Sequence, residues 1–122
     1  MNSQYSNGYS RSSGGYALAS RFFPGRLAVY FNAFNVYYGL DYRVVATDYT
    51  NYAITYSCYN LFYRRNNAVS FVITRDPIEE GTSAYTTMLD TINPLYEEKL
   101  PGFDYEERMF AIKQDSSCVY NV

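Results

Sequence analysis

Thr47 to Cys58 reads TDYTNYAITYSC. A polar stretch, Thr47-Asp48-Tyr49-Thr50-Asn51, separates the run VVA from the run YAITY, and the second run leads into one of only two cysteines in the chain. Asp48 is suited to accept backbone N–H groups inside a tight turn, and Asn51 can do the same or take a left-handed conformation. Thr47 and Tyr52 suit strand ends. The stretch is therefore read as a hairpin that brings two strands together.

The flanking sequence continues the pattern. Upstream, DYRVVATD puts Tyr42, Val44 and Ala46 on one side and Arg43 with Val45 on the other. Further back, RLAVYFN follows a Pro24-Gly25 turn and alternates Leu27, Val29 and Phe31 against Arg26, Ala28 and Tyr30. Downstream, YAITYSC is a strand, YRRNN (Tyr63 to Asn67) a charged loop, and AVSFVITR a strand with Phe71 and Ile73 on one face. Alternation with one face apolar marks antiparallel strands. Short strands at close spacing predict an antiparallel meander. In the Ser-, Asn- and Gly-rich first thirteen residues, Asn7-Gly8 is a two-residue hairpin signal.

The period then changes. Tyr85, Met88, Leu89 and Ile92 recur at helical spacing, which predicts a helix from Thr82 to Ile92, with Pro94 and Pro101-Gly102 ending the helical region. Asp76, Glu79 and Glu80 are read as charges at the helix N-terminus rather than as a catalytic carboxylate cluster. ERMFAIKQ is predicted as a last strand and DSSCVYNV as a tail. No repeat or second domain is visible in the 122 residues.

Composition narrows the chemistry. The chain has 16 Tyr and 8 Phe but no Trp and no His. Without His it lacks the usual general base and the commonest metal ligand. Cys58 has no His to activate it, and neither a Gly-rich phosphate loop nor metal-ligand spacing occurs. Enzymatic activity is not expected. A formal net charge of −2 argues against nucleic acid as a partner. No apolar run is long enough to span a membrane, and MNSQYSNGYS lacks the basic and apolar regions of a signal peptide. There is no N-x-S/T sequon.

Together these segments resemble the C-terminal part of a lipocalin. YRVVATDYTNYAITYSC is similar to the T-D-Y segment between the sixth and seventh strands of lipocalins of the apolipoprotein D and crustacyanin kind. FVITR resembles the end of the eighth strand, whose arginine marks the family. QDSSCVY resembles the crustacyanin cysteine tail, and YSNGYSRSSGGYA the hairpin joining strands three and four. The resemblance implies a mostly β fold: an up-and-down lipocalin barrel, incomplete at about five to six strands, plus one C-terminal helix. It implies one domain over 1–122 that lacks the first two strands and most of the third, and a secreted protein. Thr47, Asp48, Tyr49 and Arg75 would be structural, with Arg75 at the closed end of the barrel.

The resemblance also implies a function: carriage of a small hydrophobic ligand in an aromatic-lined cup. Leu27, Val29, Phe31, Tyr42, Val44, Ala46, Phe71 and Ile73 would line the cup, with tyrosine hydroxyls orienting the ligand. A bound chromophore such as a carotenoid or bilin fits the crustacyanin features; a sterol, fatty acid or bilin fits the apolipoprotein D features. No cofactor is required. From the residues alone, Cys58 and Cys118 would pair with each other. The family pattern instead pairs each with an N-terminal cysteine that this chain does not contain. Tyr52 and Tyr56 are expected on the outer face. The rival reading is a Tyr-rich structural protein that forms homo- or hetero-oligomers through open sheet edges and binds no ligand.

Overall fold

Among the described residues the apolar–polar alternation becomes seven strands and one helix: β1 (Asn2–Gln4), β2 (Ser10–Ser12), β3 (Gly15–Ala19), β4 (Arg26–Ala33), β5 (Val36–Thr47), β6 (Tyr52–Leu61), β7 (Arg65–Thr74) and α1 (Ser83–Lys99). The structure is a computed structural model that describes residues 2–4, 10–12, 14–33, 36–61, 65–105 and 109–114. β1 and β2 form an antiparallel pair of their own, with Asn2 opposite Ser12. The Asn7-Gly8 turn predicted between them lies outside the described residues. The other five strands form one sheet in the order β3-β4-β5-β6-β7. Every pairing is antiparallel, so the meander is as predicted.

The long strands run further than the composition of their ends suggests. Leu61 pairs with Arg65, so Arg65, Asn66 and Asn67 of the predicted loop YRRNN are strand; Tyr63 and Arg64 lie outside the described residues. Ladder hydrogen bonds to β6 outweigh the weak strand preference of Arg65, Asn66 and Asn67.

β5 carries a bulge: Val44 pairs with Thr55, but Ala46, not Val45, pairs with Ile54. One extra residue in a strand makes two neighbours oppose one and reverses the alternation beyond them. Val45 and Ala46 therefore both pack toward the helix side, against Ile54, Ile92 and Tyr96.

α1 is longer than the predicted Thr82–Ile92. It runs to Lys99 and contains Pro94. A proline inside a helix costs roughly 3 kcal/mol. Past it, however, lies Tyr96, which with Ile92 and Ile54 forms the fully buried apolar core at 2%, 0% and 1% exposure. Burying large side chains returns roughly 1.5–3 kcal/mol each, so packing carries the helix through the proline. The N-cap is Thr82, whose hydroxyl accepts from the Tyr85 amide at 3.2 Å. No acid occupies the first turn: Asp76, Glu79 and Glu80 all precede the cap, beyond the turn where the helix dipole is felt. Residues 109–114 carry no strand; the rest of the predicted last strand, 107–108, lies outside the described residues.

Candidate ligand-binding face

Residues directly opposite one another in an antiparallel ladder point to the same face, so the register sorts the side chains. One rung crosses the whole sheet as Ala19–Leu27–Tyr42–Ser57–Val69. Its neighbours are Ala17–Val29–Leu40 and Val44–Thr55–Phe71. Thr47–Ala53–Ile73 follows at the turn end. The register position of Phe31, opposite Tyr38, continues the same row. Leu27, Val29, Tyr42, Val44, Phe71 and Ile73 thus share the face turned away from α1. Ala46 does not join them, because the bulge moves it to the helix side. A strict period of two placed it with Tyr42 and Val44, and nothing in DYRVVATD signals the extra residue.

The middle of this face is small and polar, which the sequence reading missed. Thr55 and Ser57 sit between the larger members of their rungs and are 1% and 2% exposed. Thr55 Oγ1 donates to the Phe71 carbonyl at 3.2 Å, and Ser57 Oγ donates to the Asp41 carbonyl at 2.9 Å. Each hydroxyl proton is spent within the sheet, and no buried side-chain polar atom lacks a partner among the described residues. A buried hydroxyl without a bond would cost a few kcal/mol; these two form a floor that carries no such penalty. Phe71 and Ile73 stand beside it, 39% and 50% exposed. Tyr42 adds a phenol to the same face.

The T-D-Y turn closes one end of this face. Asp48 Oδ1 accepts from the amides of Thr50 (3.0 Å), Asn51 (2.7 Å) and Tyr52 (3.0 Å), while Oδ2 accepts from Asn51 Nδ2 at 2.7 Å. These donors, the Tyr52 amide first, hold the Asp48 carboxyl far below the usual carboxylate range. Thr47 Oγ1 donates to the Tyr52 carbonyl at 2.7 Å and accepts from the Tyr49 amide at 2.9 Å. The left-handed residue is Tyr49, at φ 63°, rather than Asn51. Arg75 binds the turn from β7: its amide donates to the Asn51 carbonyl at 2.8 Å and its Nε to the Thr50 carbonyl at 3.3 Å. These contacts are structural, linking the end of β7 to the β5–β6 hairpin.

On the opposite face α1 lies against the rung Ala46–Ile54–Val72. Tyr52 packs on the same core, and Tyr56 meets Phe103 edge-on at 5.9 Å between ring centroids. Both tyrosines are therefore on the outer, helix-bearing side. Cys58 is exposed and its thiol is free among the described residues; Cys118 lies outside them. A cleft of about 890 Å³ lies elsewhere, not centred on the helix-free face. It follows β7 from Ala68 to Thr74, between that strand, α1 and residues 102–105 and 109–114.

A five-stranded antiparallel meander in chain order, a T-D-Y hairpin tied to the last strand and one helix packed on the outer face make this a lipocalin-type fold. Two solved crustacyanin structures share it. Lobster apocrustacyanin A1 superposes with a TM-score of 0.65 at 20% identity, over 96% of this chain and 59% of that one. Apocrustacyanin C1 gives 0.55 at 18% identity, over 81% of this chain and 51% of that one. The chain thus spans a little over half the length of these structures. No family sequence model matches it, and no curated protein sequence is significantly similar.

Proposed function

We propose that this chain supplies the ligand-holding face of an extracellular, non-enzymatic carrier for a small hydrophobic molecule. The observation that carries the reading is the register. Leu27, Val29, Tyr42, Val44, Phe71 and Ile73, drawn from three strands, fall on one face, and the polar atoms beneath them are internally satisfied. Such a floor has little to offer a polar ligand and favours an apolar one held by a few oriented polar groups, here the Tyr42 hydroxyl. The crustacyanin likeness favours a carotenoid; bilins, sterols and fatty acids meet the same chemical requirements. Over the full length of a lipocalin the missing wall would come from further strands, with the 122 residues forming one part of a single domain.

The test is titration of the chain with a carotenoid and with a fluorescent fatty acid, beside Phe71→Asp and Arg43→Ala. A carboxylate at position 71 places a charge in a dry site and is expected to weaken binding several-fold or more. Arg43, on the helix-bearing face, should be neutral. Equal affinity of the native chain and Phe71→Asp would remove Phe71 from the site.

A second reading, association through sheet edges, is favoured by one observation. β3 and β7 each have a single ladder partner among the described residues, and a bare edge invites another strand. Sedimentation velocity separates the two readings, since concentration-dependent association without ligand uptake supports only the second.

A further inference from the structure

The β3–β4 hairpin presents its aromatic residues outward. In Ser20 to Arg26, Phe22 is 82% exposed and Phe23 59%. The backbone holds them there. Ser20 Oγ accepts from the Phe22 and Phe23 amides at 3.3 and 3.1 Å. The Ser20 amide donates to the Arg26 carbonyl at 2.8 Å, and the Gly25 carbonyl accepts from the Val44 amide at 2.7 Å. With these groups paired, folding Phe22 back onto the sheet would break bonds that the turn already makes.

The tip is not isolated. Leu18, on the outward side of β3, is 57% exposed, and Tyr16 beside it is 51% exposed and stacks on Tyr30 at 5.0 Å. Leu18, Phe23, Tyr30 and Arg26 line one shallow hollow. The guanidinium of Arg26 lies 5.8 Å from the Phe23 ring centroid. Arg21 is exposed on the hairpin itself, and Arg43 stands opposite Arg26 in the ladder. Asp41 is the only carboxylate among these residues, and it bridges both Arg26 (2.9 Å) and Arg43 (2.7 Å). Three guanidinium groups are therefore set against one carboxylate, which pairs with two of them, in a chain whose net charge is −2. The other acids at this end, Asp48, Asp76, Glu79 and Glu80, sit on the β5–β6 turn and beyond β7. At roughly 4.8 Å per strand, the β5–β6 turn that carries Asp48 is offset from the β3–β4 turn by about 10 Å across the sheet alone, on the order of one Debye length in physiological salt.

We propose that the β3–β4 hairpin is a membrane-surface contact, in which Phe22 and Phe23 enter the interfacial region of an anionic bilayer while Arg21, Arg26 and Arg43 meet lipid phosphates and carboxylates. Phenylalanine rings on a membrane-facing surface bury into the headgroup–acyl boundary. Arginine side chains keep their charge in water while their stems follow the rings inward. Each basic residue near an anionic surface strengthens attachment about fivefold. The shape selects a bilayer over a folded protein: the aromatics stand on a protruding turn, whereas protein hot spots are buried in pockets matched by the partner.

The experiment is co-sedimentation of the full chain with phosphatidylcholine vesicles, with and without phosphatidylserine, at low and high salt. Thermal melts confirm that each variant is folded. The expected result is binding to the serine-containing vesicles only, weakened by salt, reduced about tenfold or more in Phe22→Ser/Phe23→Ser and several-fold in Arg21→Glu. Phe110→Ser, which removes an equally exposed aromatic at 78% on the C-terminal segment, should bind like the native chain. No binding to anionic vesicles, equal binding to neutral ones, or equal loss in Phe110→Ser overturns the proposal. So does binding to a polyglutamate peptide that matches the vesicle affinity and survives Phe22→Ser/Phe23→Ser, since it identifies an acidic protein as the partner.

Discussion

Tyr96 joins four parts of the molecule, and its removal is the most informative perturbation. The ring is 2% exposed. It stacks on Tyr105 at 4.6 Å and on Phe103 at 6.2 Å between centroids. Its hydroxyl lies 2.7 Å from Ser70 Oγ, and Ser70 Oγ donates to the Thr55 carbonyl at 2.7 Å. Because the single Ser70 proton is spent on Thr55, Tyr96 is the donor to Ser70. Tyr96→Phe keeps the packing and deletes that bond. Ser70 retains Thr55, so the loss is one ordinary hydrogen bond, about 1 kcal/mol, or about 4 °C in Tm for a domain of this size. Tyr96→Ala also deletes the ring and should cost about 3–5 kcal/mol. A domain's whole net stability is only about 5–15 kcal/mol, so this variant should be close to unfolded at 37 °C.

Alkali probes the same residue. Burial pushes the Tyr96 phenol above its ordinary value of 10.0. In the unfolded chain the phenol ionises first, so its contribution to stability is complete below pH 10 and lost as the pH rises through the higher folded value. Burial also raises Tyr56, which leaves a residual alkaline slope in Tyr96→Phe. Thermal melts from pH 7 to 11 measure both effects. A Tyr96→Phe variant with the native Tm at pH 7 and the native alkaline profile would refute the network.

Gly25 has φ +77°, and an added Cβ would lie 3.0 Å from the Val44 carbonyl oxygen. Gly25→Ala should lower stability by about 1–2 kcal/mol, whereas Gly14→Ala, with nothing within 4 Å of the new Cβ, should not; urea titration compares them. Asp48→Ala strips the β5–β6 turn of its acceptor and should lower the Tm. The Asp48 carboxyl is depressed in the fold, so its contribution is present above pH 3.8 and lost as the pH falls below that value. The native chain should therefore lose more stability between pH 4 and pH 2 than Asp48→Ala does, and equal acid profiles would show that the turn does not depend on the charge.

Much of this protein was legible in its residues, because a pleated strand alternates its side chains and a tight turn needs particular chemistry. The alternation in RLAVYFN and AVSFVITR placed Leu27, Val29, Phe71 and Ile73 on one face, and the ladder agrees. Asp48, with its short side chain, marked the hairpin that its carboxylate organises. The helical recurrence of Tyr85, Met88, Leu89 and Ile92 marked a helix beginning near Thr82, where the structure starts it. Other features depend on contacts between distant residues. The bulge that turns Ala46 toward the helix exists because the Ala46–Ile54–Val72 rung can then bury against α1. α1 passes through Pro94 because Tyr96 and Ile92 have a core to fill on the far side. Thr55 and Ser57 form a dry floor because neighbouring strands offer carbonyls to their hydroxyls. Local sequence carries the period and the turns; only the packed sheet and helix decide where the period breaks, since that depends on which alternative buries more apolar surface with its hydrogen bonds intact.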